Sequence, residues 1–204
     1  MQILINIVIS TIVQFILVSI LPFIWWLITA RKIQGFFPYL GFEKPKVKNK
    51  IKSSVYCICT IIFFGCFSFT IIPMLIGDVE IATSQFQNLG IQGIIPALIY
   101  AFFQTGLSEE LLFRGFLGKR FISKFGFATG NVMQAILFGL MHGVMFFSLL
   151  GVAKVIFVIV LTGAIGWILG YINEKEANGS IALSWVIHGL ANTIAASVAL
   201  FNLS

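Results

Sequence analysis

Six runs of apolar residues divide this chain, at about 3–29, 53–76, 91–117, 131–149, 153–172 and 180–203. Crossing a bilayer as a helix takes about 20 predominantly apolar residues. Each run is near that length, and short polar segments separate them. The pattern predicts an all-α fold: a polytopic transmembrane helical bundle of about six spans, forming a single membrane domain over 1–204. No internal repeat or low-complexity tract stands out.

The charges sort the segments between the runs. Loop 30–52 carries Arg31, Lys32, Lys44, Lys46, Lys48, Lys50 and Lys52 against Glu43 alone, which marks it as cytoplasmic and solvated. Loop 77–90 has Asp78 and Glu80 and no basic residue, so it belongs outside. Segment 118–130, with Lys119, Arg120 and Lys124, and the hinge at 173–179 return to the cytoplasm. The expected protein is a multi-pass cell-membrane protein with both termini extracytoplasmic. Its first run lacks a basic leader and meets its first charge at Arg31, so it reads as a retained span and not as a cleaved signal peptide.

Composition agrees: 59% of residues are hydrophobic, 10% are charged and mean hydropathy is +1.03. Soluble domains are nearer a quarter charged. The net charge of +6 resides in the topogenic loops, so no nucleic acid is expected as a partner. Cys57, Cys59 and Cys66 share one run at spacings that suit no metal site, and read as small buried thiols.

Against this background the polar residues inside the runs carry the interest. Ser108-Glu109-Glu110-Leu111-Leu112-Phe113-Arg114 puts two carboxylates and a guanidinium in the third run. Each charge costs about 2.5–3.5 kcal/mol on membrane-insertion scales, so such groups are kept where they pair or do chemistry. Glu110 and Arg114 are four residues apart on one helix face and should form a structural ion pair. Glu109 is turned about 100° away and is free to meet another helix, with His142 as its expected partner. The chain's two histidines, His142 and His188, both lie within runs, and Asn192 sits one turn from His188 on the same face. At the helical rise, Glu109 and His188 lie roughly 12 Å and His142 roughly 16 Å from the cytoplasmic ends of their spans. Each of these groups alone could be interhelical glue. Their convergence at one depth points to a shared site. Gly163, Gly166 and Gly170 of the fifth run read as small-residue helix packing, and Gly139 and Gly143 as positions of close approach beside His142.

In order along successive spans, Glu-Glu-x-x-x-Arg at 109–114, Phe-x-x-x-His at 138–142 and His-x-x-x-Asn at 188–192 resemble the CPBP family. These are the CAAX-protease and bacteriocin-processing enzymes, also called the Abi family, and the likeness covers residues from about 91 to the C-terminus. The resemblance implies intramembrane peptide hydrolysis, with Glu109 and His142 activating a water and His188 and Asn192 stabilising the oxyanion. It also raises Zn²⁺, for which Glu109, His142 and His188 could serve as ligands with one position open. The chain has no His-Glu-x-x-His motif and the oxyanion role already uses His188, so no cofactor is favoured. The expected substrate is a membrane-associated peptide or protein reached from the bilayer or the cytoplasmic face, in bacteriocin immunity or peptide maturation. Prenylated CAAX substrates belong mainly to the eukaryotic branch. Two other classes remain to be weighed: a non-catalytic immunity or scaffold protein, and a small proton-coupled carrier, for which no inverted repeat is evident.

Overall fold

The computed structural model describes residues 1–71, 74–75, 77 and 79–203. Every regular element among them is helical. We label α1 (Gln2–Thr29), α2 (Phe36–Tyr39), α3 (Lys50–Cys66), α4 (Ile94–Ile99), α5 (Lys119–Phe146), α6 (Val152–Tyr171) and α7 (Ala182–Phe201). Wider, π-helical turns extend α3 over Phe67–Ile71 and α6 over Ile172–Glu176, and two more, Tyr100–Leu107 and Glu110–Gly118, join α4 to α5.

Five continuous helical stretches are long and apolar enough to cross a membrane: Gln2–Thr29, Lys50–Ile71, Gly90–Phe146, Val152–Glu176 and Ala182–Phe201. The third is 57 residues long, far more than one crossing needs. It breaks at Gly126, whose φ of 78° and ψ of 166° lie in a region essentially reserved for glycine. The two arms then fold back on one another. Gly130 comes so close to Ile122 that a Cβ would overlap its backbone, and the Phe113 and Phe138 rings meet edge to face at 5.1 Å. The hairpin restores the sixth span. It also corrects the expected loop over 118–130, which is helical on both sides of a turn made by one residue. Ile72, Pro73 and Ile76 at the far end of the second expected span, and Asp78 of the outer loop, lie outside the described residues.

The exterior is hydrocarbon-like. Along α1 only Ile7 and Pro22 are buried, while Ile9, Ile16, Leu17 and Leu21 stand exposed. Lipid tails solvate such a surface, and helices suit them because all backbone hydrogen bonds are internal. Cys59 and Cys66 belong to this outer surface and Cys57 is half-buried, so the thiols are not core residues as expected. Helix contacts inside rely on small residues. Gly139 packs against α6 with its would-be Cβ 3.2 Å from the Gly163 nitrogen, and Gly166 places its own 3.4 Å from the Ala135 Cα.

The lysine-rich loop is more structured than a solvated tether. Its short helix α2 buries Tyr39, and Leu40, the next residue, is buried against Leu111, Phe116 and Ile181. Beyond it, the Ile181 amide donates to the Gly41 carbonyl at 2.9 Å and the Ser180 hydroxyl to the Glu43 carbonyl at 2.6 Å. Lys119 Nζ donates to the Gly179 carbonyl at 2.7 Å. These bonds fix the start of α7 against the end of the third span. A second apolar cluster, of Ile7, Phe86, Tyr100, Ala196 and Leu200, closes the other end. Along both the third span and α7, the polar site residues fall between these two clusters.

Candidate active site

The site begins with the winding of the segment that carries the acids. Around Ser108 and Glu109 the chain is π-helical on either side. Such turns are rare and often occur at functional sites. Glycines accommodate this winding: a Cβ on Gly106 would lie 2.6 Å from the carbonyl oxygen of Ala101, and one on Gly118 would lie 3.0 Å from that of Phe113. Both carbonyls are five residues back. The Thr105 and Ser108 hydroxyls likewise donate to carbonyls five residues back, of Tyr100 at 3.1 Å and Phe103 at 3.4 Å. Sequence periodicity predicts an ordinary helix here, because spacing of apolar residues does not report the winding.

Glu110 is the hub. It is fully buried, and its Oε1 lies 3.0 Å from Arg114 Nη1 and 3.0 Å from His188 Nδ1. Its Oε2 accepts from the Ser184 hydroxyl, which in turn accepts from Asn173 Nδ2 at 2.7 Å. The expected Glu110–Arg114 pair is therefore present, but Glu110 does more than pair with arginine. It orients His188. With its Nδ1–H given to a carboxylate, the neutral His188 ring presents Nε2 as an acceptor, and the doubly protonated ring presents it as a donor. Ser184, one turn before His188 on α7, was not among the expected site residues. The 184, 188, 192 spacing on one helix face is the signal that marks it.

Glu109 points elsewhere, as its rotation predicts. Its side chain is 17% exposed, and Oε2 is buried without a hydrogen-bond donor among the described residues. The nearest imidazole nitrogen is His188 Nε2, at 3.7 Å. No carboxylate oxygen of Glu109 lies within 4.0 Å of a His142 ring nitrogen, so the expected direct pairing is replaced by an approach to His188. His142 donates its Nδ1–H to the Phe138 carbonyl at 2.9 Å, which leaves Nε2 as the free acceptor. The Phe138 ring ties the parts together. It lies 4.6 Å from the His142 ring and 6.2 Å from the His188 ring, and the Arg114 guanidinium stacks on it at 4.0 Å. Asn192 donates to Thr105 Oγ1 at 2.7 Å, one turn before Glu109 on the same segment. All six expected residues thus belong to one neighbourhood built from the third span, α5 and α7.

Glu109, His142 and His188 are the donor set that Zn²⁺ would require. A tetrahedral site needs its ligands converging at about 2.0–2.2 Å from one point. Among the described residues no three His, Cys, Asp or Glu side chains are grouped to hold an ion. Glu109 and His188 approach one another, but His142 stands apart. As placed, Glu109, His142 and His188 do not fit a metal.

Fold and site together define a class: a multi-pass helical membrane protein with carboxylates and imidazoles held inside its bundle. Residues 91–194, just over half of the chain, match the family model described as type II CAAX prenyl endopeptidase Rce1-like. The chain belongs to this family. The matched region contains Glu109, Glu110, Arg114, His142, His188 and Asn192, and it leaves out α1 to α3. Membership bears out the CAAX-protease resemblance of the motifs and supports an intramembrane endopeptidase in general terms. No curated protein and no solved structure matched the chain significantly.

Proposed function

We propose that this chain hydrolyses a peptide bond in a membrane-associated peptide or protein, using a water activated by Glu109 and His142. One observation carries the proposal: Glu109 Oε2 is a buried carboxylate oxygen that no hydrogen-bond donor of the described protein satisfies, while its neighbour Glu110 is saturated. A buried acceptor without a partner is costly, and an attacking water is the donor this one suits. His142 Nε2, freed by the Nδ1–H bond to Phe138, is a second acceptor for the water's protons. His188 and Asn192 serve as the oxyanion donors, His188 through Nε2 while Glu110 holds its Nδ1. Asn192 reaches the oxyanion by releasing Thr105. No step requires a metal. The substrate reaches the site from the inner leaflet or the cytoplasm, and bacteriocin immunity or peptide maturation is the setting we favour.

The test compares membranes of cells expressing wild type and Glu109→Gln at equal levels. New termini of membrane and secreted peptides are mapped by mass spectrometry, with and without a chelator. Termini found only with wild type, and insensitive to chelator, are the expected result. Identical termini in both would overturn the proteolytic reading in favour of a non-catalytic immunity protein. Termini lost to the chelator would overturn the metal-free mechanism alone.

A further inference from the structure

Behind the Glu110–His188 pair, toward the Lys119 end of the third span, lies a small polar cavity. It is lined by Arg114, Gly118, Ile122, Asn131, Gln134, Gly170, Asn173 and Glu174, of which Arg114, Asn131, Gln134 and Asn173 carry the argument. All four are buried, with at most 3% of each residue exposed. They come from three spans: the end of the third, the start of the α5 arm beyond Gly126, and the end of α6.

The hydrogen bonds around this cavity leave a matched remainder. Gln134 Nε2 donates to Asn131 Oδ1 and to the Gly166 carbonyl, each at 2.9 Å, but its Oε1 has no donor. Asn173 Nδ2 donates to Ser184, but its Oδ1 has no donor. Arg114 Nη1 faces Glu110 at 3.0 Å without hydrogen-bond alignment, and Nε and Nη2 find no acceptor among the described residues. Unpaired donors on the guanidinium thus share a cavity with two unpaired amide oxygens. Buried polar groups are nearly always satisfied, and those the protein leaves unpaired are typically bridged by ordered water. The space open to a water centre is about 10 Å³. One water needs roughly 10–15 Å³ by that measure and two to four polar partners.

We propose that this cavity is a site for a single buried water, which accepts from Arg114 and donates to Gln134 Oε1 and Asn173 Oδ1. The water completes the coordination of Arg114 and so holds the guanidinium between Glu110 and the Phe138 ring. Gln134 and Asn173 are then positioning residues. They act on the site through Arg114 and Ser184, and neither touches Glu109. The inference stands on the packing alone and does not depend on the protease reading.

The chain has only three arginines, Arg31, Arg114 and Arg120, so selective labelling makes the test direct. Arginine-labelled protein in liposomes is studied by solid-state NMR, with magnetisation transferred from water to the guanidinium nitrogens. The Arg114 signal is assigned by its loss in Arg114→Lys. The expected result is transfer to buried Arg114 nearly as fast as to exposed Arg31, slowed several-fold in both Gln134→Met and Asn173→Leu. Absence of early transfer to Arg114 in wild type would overturn the proposal, whatever the variants do. Fast transfer persisting in a folded variant would show that the amide oxygens do not hold the water, and would overturn it as well.

Discussion

Replacing Arg114 by methionine is the perturbation whose size the structure constrains best. The residue's side chain is 1% exposed and its ion pair with Glu110, at 0% exposure, spans 3.0 Å. Removing one partner of a buried pair costs about 3–5 kcal/mol, because the other charge is left without compensation. Two details move this figure in opposite directions. Glu110 keeps His188 Nδ1 at 3.0 Å and the Ser184 hydroxyl, which softens the loss. The guanidinium also stacks on Phe138 at 4.0 Å, a contact worth about 2 kcal/mol when desolvated, which methionine only partly replaces. The two corrections roughly cancel, and about 3–5 kcal/mol stands. For 150–250 residues each kcal/mol shifts an unfolding midpoint by roughly 2–4 °C, so a drop of roughly 6–20 °C is expected. The assay is thermal unfolding of purified protein in one detergent, for Arg114→Met, Glu110→Gln and the double variant. The double variant should be markedly less damaged than the sum of the singles, since neither buried charge is then abandoned. A single variant within about 1 kcal/mol of wild type, or strictly additive effects, would refute the assignment of Arg114 as the structural counter-ion.

Four further expectations follow from the same geometry. Glu109→Gln should leave the unfolding midpoint near wild type, since the carboxylate holds no hydrogen bond that folding requires; a large drop would make Glu109 structural. Ser184→Ala removes a hydroxyl that joins Glu110 to Asn173 and should cost about 1.5–3 kcal/mol by the same assay, the range for hydrogen bonds to charged groups. Gly126→Ala should cost about 1–3 kcal/mol from backbone strain alone, because its Cβ would meet nothing within 4 Å; an unchanged midpoint would refute the single-residue turn. Lys52→Ala breaks a 2.8 Å pair with Glu176, but Lys52 is half-exposed and Ser53 still serves Glu176, so the midpoint should barely move, and move less at high salt; a large drop would refute the reading of a screened surface pair.

The family relation shapes how the first region is viewed. The match begins at residue 91, so α1 to α3 lie outside it. They are not idle. Ser10 donates to Gln104 Oε1 at 3.1 Å and Gln14 to the Gln104 carbonyl at 2.8 Å, which packs α1 against the segment that leads to Glu109. Ser53 at the start of α3 donates to Glu176 at 3.2 Å. The unmatched helices therefore brace the matched ones from the side through their few polar residues.

Hydropathy and residue spacing were enough to predict the helical bundle, the number of spans and the polar residues that docking brings into one neighbourhood. These follow from one-dimensional facts: the bilayer sets a length, and it makes every polar residue inside a span conspicuous. The same logic foresaw the Glu110–Arg114 pair, since residues four apart on a helix meet whatever the rest of the chain does. What lay beyond it depended on rotations and translations between helices. The π-helical winding around Glu109 comes from glycines that permit carbonyls to approach, and apolar periodicity is silent on it. The hairpin at Gly126 depends on one backbone conformation in a segment that reads as a loop. That His188 takes Glu110 on one nitrogen and approaches Glu109 with the other, that His142 stands apart, and that Ser184, Asn173 and Gln134 back the site are all consequences of how three spans dock. Depth along a span can be counted from a sequence, but the facing of one span toward another is set by side-chain packing across the whole bundle.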